Sequence, residues 1–189
     1  RYLWNEQNGV WNNTYSNYRN LQNIFNSLSD QTNNSYQGVA LVLKAYMFET
    51  LTAAYGDVPY TEAGQAKSGS IYAPKYDTQE SIYVGILADL KKANEILAVS
   101  TNAIGGDLLY NGGTGAIVKW RRLANSLRIR YLLRISAKRN VSADLQAIIG
   151  DPVNNPIFTS NSDNAELRYL ALAPNQWPLY DSRVGSFDE

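Results

Sequence analysis

Residues 38–60 read Gly38-Val-Ala-Leu-Val-Leu-Lys-Ala-Tyr-Met-Phe-Glu-Thr-Leu-Thr-Ala-Ala-Tyr-Gly-Asp-Val-Pro-Tyr60. At 3.6 residues per turn the apolar side chains do not keep to one stripe. Val39, Val42, Leu43 and Tyr46 cover one side, and Leu41, Met47, Phe48 and Leu51 continue round the other. A helix that is apolar all round is a buried helix. Its two charges, Lys44 and Glu49, are five residues apart and so lie on different sides, which leaves no ordinary solvated face. Gly56 can take the left-handed closing conformation, and Pro59 cannot continue the helix, so the segment stops near Tyr55.

Working outward, Val10, Trp11, Thr14, Tyr18, Leu21, Phe25 and Leu28 fall on one face, with asparagines opposite, and predict a helix over about 10–28. The buried helix spans about 36–55. Residues 56–76 form a long connection without periodicity, and a loop of that length is either functional or held down. Asp77-Thr-Gln-Glu80 has the spacing of a capping box, with the aspartate as the cap, and opens a helix over about 78–98 whose stripe is Ile82, Ile86, Leu90, Ala93 and Leu97. A glycine-rich turn precedes a fourth helix over about 116–139. Trp120, Leu127, Tyr131 and Ile135 lie on one side of it, and Ile129, Leu133 and the stem of Arg122 on the other, so it is expected to pack on two sides. Eight Lys or Arg lie on this helix at 119, 121, 122, 128, 130, 134, 138 and 139, with no acid. They are spread round it, so the expectation is partners elsewhere in the fold rather than one phosphate-binding face. A short fifth helix over 142–149 follows. The helical framework is thus residues 1–149, and 150–189 is an irregular segment with four X-Pro pairs and a short strand expected at Glu166–Leu172. This segment has more acids than bases, and an acidic tail suits a place across the basic fourth helix.

The chain of 189 residues has 17 basic and 17 acidic side chains, no His and no Cys. The balance gives no global electrostatic case for nucleic acid or an anionic membrane surface. Without His or Cys there is no thiol nucleophile, disulfide, common zinc site or histidine base, so neither a metal nor a cofactor is expected. No apolar run reaches the ~18 residues of a membrane helix. The chain starts at Arg1 and stops at Glu189 with no terminating logic, and both ends read as cut. Fourteen tyrosines and many asparagines offer amphipathic rings beside neutral hydrogen-bonding groups, a surface suited to neutral polar ligands or protein contacts.

Four stretches together resemble one family. They are Trp11-x3-Tyr15, Ala45-Tyr46-x-Phe48-Glu49 through Tyr55-Gly56-Asp57-Val58-Pro59, Tyr76-Asp-Thr-Gln-Glu-Ser-Ile-Tyr83 through Asp89-Leu90, and Trp120-Arg-Arg-Leu-Ala-Asn-Ser-Leu-Arg-Ile-Arg130 with Arg134-Ile135-Ser136. Their order and spacing are similar to those of the SusD/RagB outer-membrane nutrient-binding lipoproteins, SusD-like branch. The lipidated N-terminal cysteine of that family is absent, and the chain is well under half the usual length, so it reads as the N-terminal portion with a C-terminal portion missing. The resemblance implies an all-α fold: a tetratricopeptide-like array of long antiparallel helices with long irregular loops and an irregular C-terminal stretch. It also implies a cell-surface, lipid-anchored protein of the outer membrane that captures an oligosaccharide or peptide for a SusC-like TonB-dependent transporter.

A glycan asks for exposed aromatic faces beside amides and a cation. Helical aromatics such as Trp11, Tyr18, Tyr46, Phe48, Trp120 and Tyr131 are expected in the core. The candidates are loop residues. Trp4 and Asn5 lie just ahead of the first helix, in the place where the starch-binding member of the family has part of its glycan surface. Trp177, Tyr180 and Arg183 lie in Asn175-Gln-Trp-Pro-Leu-Tyr-Asp-Ser-Arg183, where aromatics, amides and a cation interleave. Tyr72 and Tyr76 are weaker candidates. Each stretch serves equally well as packing against further chain. Two other functions stay open: a helical scaffold that contacts only the transporter, and a carboxylate enzyme using Asp57 with Glu62 or Asp181 with Asp188. With 17 acids in the chain some carboxylate pair will always lie near, so the enzyme is the weakest of them, and no catalytic residue is assigned.

Overall fold

The structure is a computed structural model that describes residues 8–28, 31, 34–171 and 176–177. Five α-helices follow in order: α1 (Gly9–Ser27), α2 (Ser35–Tyr55), α3 (Gln79–Val99), α4 (Gly113–Ile135) and α5 (Ser142–Ile149), then a single 3-10 turn at Asn161–Asp163. Among the described residues there is no sheet, only isolated bridges at Val58–Asp77 and Ile104–Gly113. The fold is all-α. Each helix packs on its neighbour in sequence, α2 most extensively on α3, and α4 also touches α2. This is the layout of a tetratricopeptide-like array.

The core is one apolar cluster drawn from α1 to α4. Phe48 of α2 is fully buried at its centre. The rings of Tyr18 and Tyr60 meet Phe48 edge-on at 4.9 Å, and Tyr15 does so at 6.0 Å, the arrangement that ring quadrupoles favour. Leu132, Val141 and Ile148 form a smaller cluster that seats α5 on the second side of α4, with Ile129 and Ile157 against it.

The two charges on the apolar helix α2 both find partners. Lys44 pairs with Asp89 of α3 at 2.9 Å, and Glu49, only 4 % exposed, pairs with Arg134 of α4 and accepts from the Tyr83 hydroxyl. Of the basic side chains on and after α4, Arg122, Arg134 and Arg139 pair with Asp163, Glu49 and Asp144. Arg121 and Arg128 instead donate to neutral groups. Arg121 reaches the Asn94 side chain and the Asn154 carbonyl, and Arg128 reaches the side chains of Asn125 and Asn155. The segment 154–163 therefore does lie across the basic helix, held as much by amides as by acids.

The long 56–76 connection is held down. Gly56 closes α2 at φ +77°. The Asp77 carboxylate accepts from the backbone N–H of Tyr60 at 3.0 Å and of Thr61 at 2.7 Å. Tyr15 donates to the Pro59 carbonyl and Gln22 to that of Ala63. Burial pushes Asp77 up, yet the hydrogen bonds from Thr61 and Tyr60 outweigh it and hold this carboxyl below the usual range. The expected capping role of Asp77 is thereby corrected: Thr78 caps α3, accepting from Ser81 N–H. Asp57 also serves that helix start, accepting from Gln79 N–H at 2.8 Å.

Four other expectations change. Tyr46 is 51 % exposed rather than core, because α3 takes the facing side of α2 and α4 covers it only in part. Tyr36, Thr50 and Ala53 share that exposed stripe. Trp11 is half-buried, packed edge-on against Tyr15 and Tyr55. Helix α4 ends at Ile135 rather than near 139, since the Ser136 hydroxyl turns back to the Leu133 carbonyl and competes with helix propagation. Residues 166–171 form no strand, having no neighbouring edge to pair with.

Gly85 of α3 lies under the Tyr60 ring, where an added methyl would sit 2.5 Å from ring carbon Cε1. Gly85→Ala should lower stability by about 1–3 kcal/mol in denaturant unfolding. On an exposed helix face the same change would raise stability by up to about 1 kcal/mol, so the sign of the shift reports the close approach.

Candidate functional site

At the end of the bundle where α4 begins, the loop 107–111 and the segment 162–170 face each other across a cleft of about 520 Å³. Asp107 and Tyr110 line its floor, and the buried Trp120 holds both. Asp107 accepts from the backbone N–H of Leu109 at 2.9 Å and of Tyr110 at 3.0 Å through Oδ1, and from the Trp120 indole N–H at 2.7 Å through Oδ2. The Trp120 and Tyr110 rings meet edge-on at 5.5 Å. Gly112 permits the loop's return into α4. Its φ is +67°, and a Cβ there would lie 2.4 Å from the Ile104 carbonyl oxygen.

The opposite wall is pinned through Asp163, itself 1 % exposed. One carboxylate oxygen meets the Arg122 guanidinium at 2.5 Å, and the other accepts from Thr159 N–H at 2.8 Å. The Tyr110 hydroxyl donates to the Asp163 carbonyl at 3.1 Å, so floor and wall are tied together. Burial, then the nearby Asp107 and Asp163, push the Tyr110 phenol up, and it stays a donor at any physiological pH. The Thr159 amide, with Arg122 and Ser160 adding to it against burial, holds the Asp163 carboxyl at about 2.

On this scaffold the lining side chains are those that hold polar rings. Tyr169 is 50 % exposed. Asn111 and Asn164 present side-chain amides, Gln176 closes one edge by donating to the Ala171 carbonyl, and Arg168 is paired with Glu166. The Lys119 ammonium stands 5.6 Å over the Tyr110 ring. A larger cleft of about 670 Å³ lies at the opposite end of the bundle between α3 and the end of α4. Its arginines Arg134 and Arg139 are taken by Glu49 and Asp144, and its aromatic, Tyr83, is 6 % exposed. It lacks an open ring face.

Of the candidates from sequence, Trp177 is 45 % exposed and directly follows the cleft residue Gln176. Trp4, Asn5, Tyr180 and Arg183 lie outside the described residues, as do Asp181 and Asp188. Tyr72 and Tyr76 are exposed on the 56–76 loop, Tyr76 against Trp11. Asp57 and Glu62 are both engaged in tying that loop, Glu62 through the amide and ammonium of Lys75. The residues that sequence reasoning missed are Asp107, Asn111, Lys119, Asn164 and Tyr169. A signal lies in Asn164–Leu170, where an amide, charges and a ring interleave as they do in 175–183, but the same spacing also fits a strand.

A family model described as starch-binding and associating with the outer membrane, SusD-like, matches residues 1–188. The chain belongs to the SusD-like family. Solved structures agree. The SusD-like chain is 35% identical to an outer membrane protein of Bacteroides vulgatus ascribed to nutrient binding, with a TM-score of 0.74 over 88% of this chain and 36% of that one. It is 33% identical to a SusD homologue of Bacteroides fragilis, with a TM-score of 0.76 over 89% of this chain and 36% of the other. It is 36% identical to a chitin-binding protein, with a TM-score of 0.70 over 84% and 33% of the two chains. The SusD-like chain thus spans about a third of the length of these structures. A comparison with curated proteins gives no match.

The depressed Asp163 acid constant sets a pH dependence. A carboxyl at about 2 when folded, below its ordinary value of about 3.9, contributes stability that is complete above about pH 4 and is lost as pH falls through about 2. The melting temperature should therefore drop more steeply between about pH 4 and about pH 2 in the wild type than in Asp163→Asn, measured by circular dichroism. Equal slopes would deny Asp163 this role.

Proposed function

We propose that this chain is the helical part of a non-catalytic binding protein that captures an oligosaccharide in the cleft between residues 107–111 and 162–170. The observation that carries the reading is the convergence there of one open ring face, Tyr169, with the Asn111 and Asn164 amides on a floor fixed by buried hydrogen bonds. A sugar ring has an apolar face and a rim of hydroxyls. An exposed phenol ring takes the first, and amides, which both donate and accept, take the second. Fixed walls spare the ligand the cost of ordering them.

Family membership and the nutrient-binding and chitin-binding relatives support a role in nutrient capture at the outer membrane. The full protein in this reading is a lipid-anchored cell-surface component that hands its ligand to a SusC-like TonB-dependent transporter. Trp177 extends the ring surface beside Gln176, and Trp4, Asn5, Tyr180 and Arg183 are carried as further contacts with ligand.

Tyr169→Ala and Trp177→Ala should each weaken oligosaccharide affinity about tenfold, roughly the 1.4 kcal/mol of half-burying one ring, as read by titration calorimetry. Both side chains are half-exposed, so melting temperatures should stay within about 2 °C of wild type. Unchanged affinity in both variants would remove the cleft as the binding site.

A further inference from the structure

We propose that the cleft selects oligosaccharides that carry carboxylates, with the acidic sugar taken by Lys119. This rests on the reading of the cleft as a glycan site and adds the class of glycan. Four charged side chains line the cleft: Asp107, Lys119, Glu166 and Arg168. Three of them are already matched. Asp107 receives donors on both oxygens, from Leu109, Tyr110 and Trp120. Glu166 and Arg168 hold each other through the guanidinium Nε at 2.7 Å. Of the four, Lys119 alone has no carboxylate partner among the described residues, and its ammonium stands over the Tyr110 ring face.

That contact is a pointer as well as an interaction. The Tyr110 ring is 6 % exposed and is fixed at its edge by Trp120 and at its hydroxyl by the Asp163 carbonyl. An ammonium over such a ring is held in place yet keeps donors for a further acceptor, because the ring attracts the cation without accepting all three N–H groups. A carboxylate entering the cleft therefore adds a charge-assisted hydrogen bond without displacing a protein partner. A neutral sugar leaves that charge to water. Asp107 lies on the same wall and opposes part of the gain, so the preference is modest.

The test is titration calorimetry of the intact protein with an oligogalacturonate and with a neutral malto- or chito-oligosaccharide of equal length. The acidic probe should bind about three- to tenfold tighter at low salt, and the ratio should fall toward one at about 1 M salt. Lys119→Gln should abolish the ratio, and Lys119→Arg should retain most of it, since arginine keeps both the charge and the ring contact. An unchanged ratio in Lys119→Gln, or tighter binding of the neutral probe to wild type, overturns the proposal and leaves the glycan reading standing. Failure of both probes to bind overturns the two together.

Discussion

Placing a carboxylate on the long, predominantly apolar helix α2 creates a demand that the neighbouring helices must meet. An unpaired buried charge is costly, so Glu49 can be buried only where a cation and a donor reach it. Arg134 from α4 and Tyr83 from α3 do so from two different elements. Lys44, on another side of α2, makes the same demand of Asp89, which also accepts from Tyr60. The apolar surface of α2 drives its burial. The two charges decide in which orientation and register α3 and α4 may lie on it. The array is specified by these few polar groups and stabilised by the apolar many.

Much of that framework was legible because helices declare themselves by period. Helices α1, α2, α3 and α5 lie within a residue of their expected limits, as the stripes and stop signals at Tyr55–Pro59 are local chemistry. The errors have local causes too. Ser136 ended α4 early by bonding to its own turn. Asp77 and Thr78 are adjacent and both can cap, and only the distant Thr61 amide decides which one does. Tyr46 was misplaced because an apolar helix surface does not say how far its neighbours extend along it.

The cleft was far less legible. Its parts come from residues 107–111, 119, 162–170 and 176, and no period joins them. What assembles them is a set of long-range hydrogen bonds, Tyr110 to Asp163 and Arg122 to Asp163, separated by 53 and 41 residues. Each of these residues is ordinary when read in its own window. The general search image, an open ring beside amides and a cation, leads to Gln176 and Trp177, and Gln176 lines one edge of the cleft. The same image applied to Asn164–Leu170 would have found its other wall.

The anchoring of that wall has an evolutionary consequence. Residues 164–171 have no regular structure and hold their place through Asp163 and the turn before it, the Asp163 carboxylate being bound by Arg122 of α4 and by the Thr159 amide. Attachment and ligand contact are therefore written in different residues of one short segment. Substitutions at 164, 168 or 169 can re-dress the recognition surface while the carboxylate that fastens it stays untouched. On the proposed binding role, a helical frame with such a detachable vocabulary can be retuned from one ligand to another at little cost in stability, a diversity of appetite on a constant skeleton.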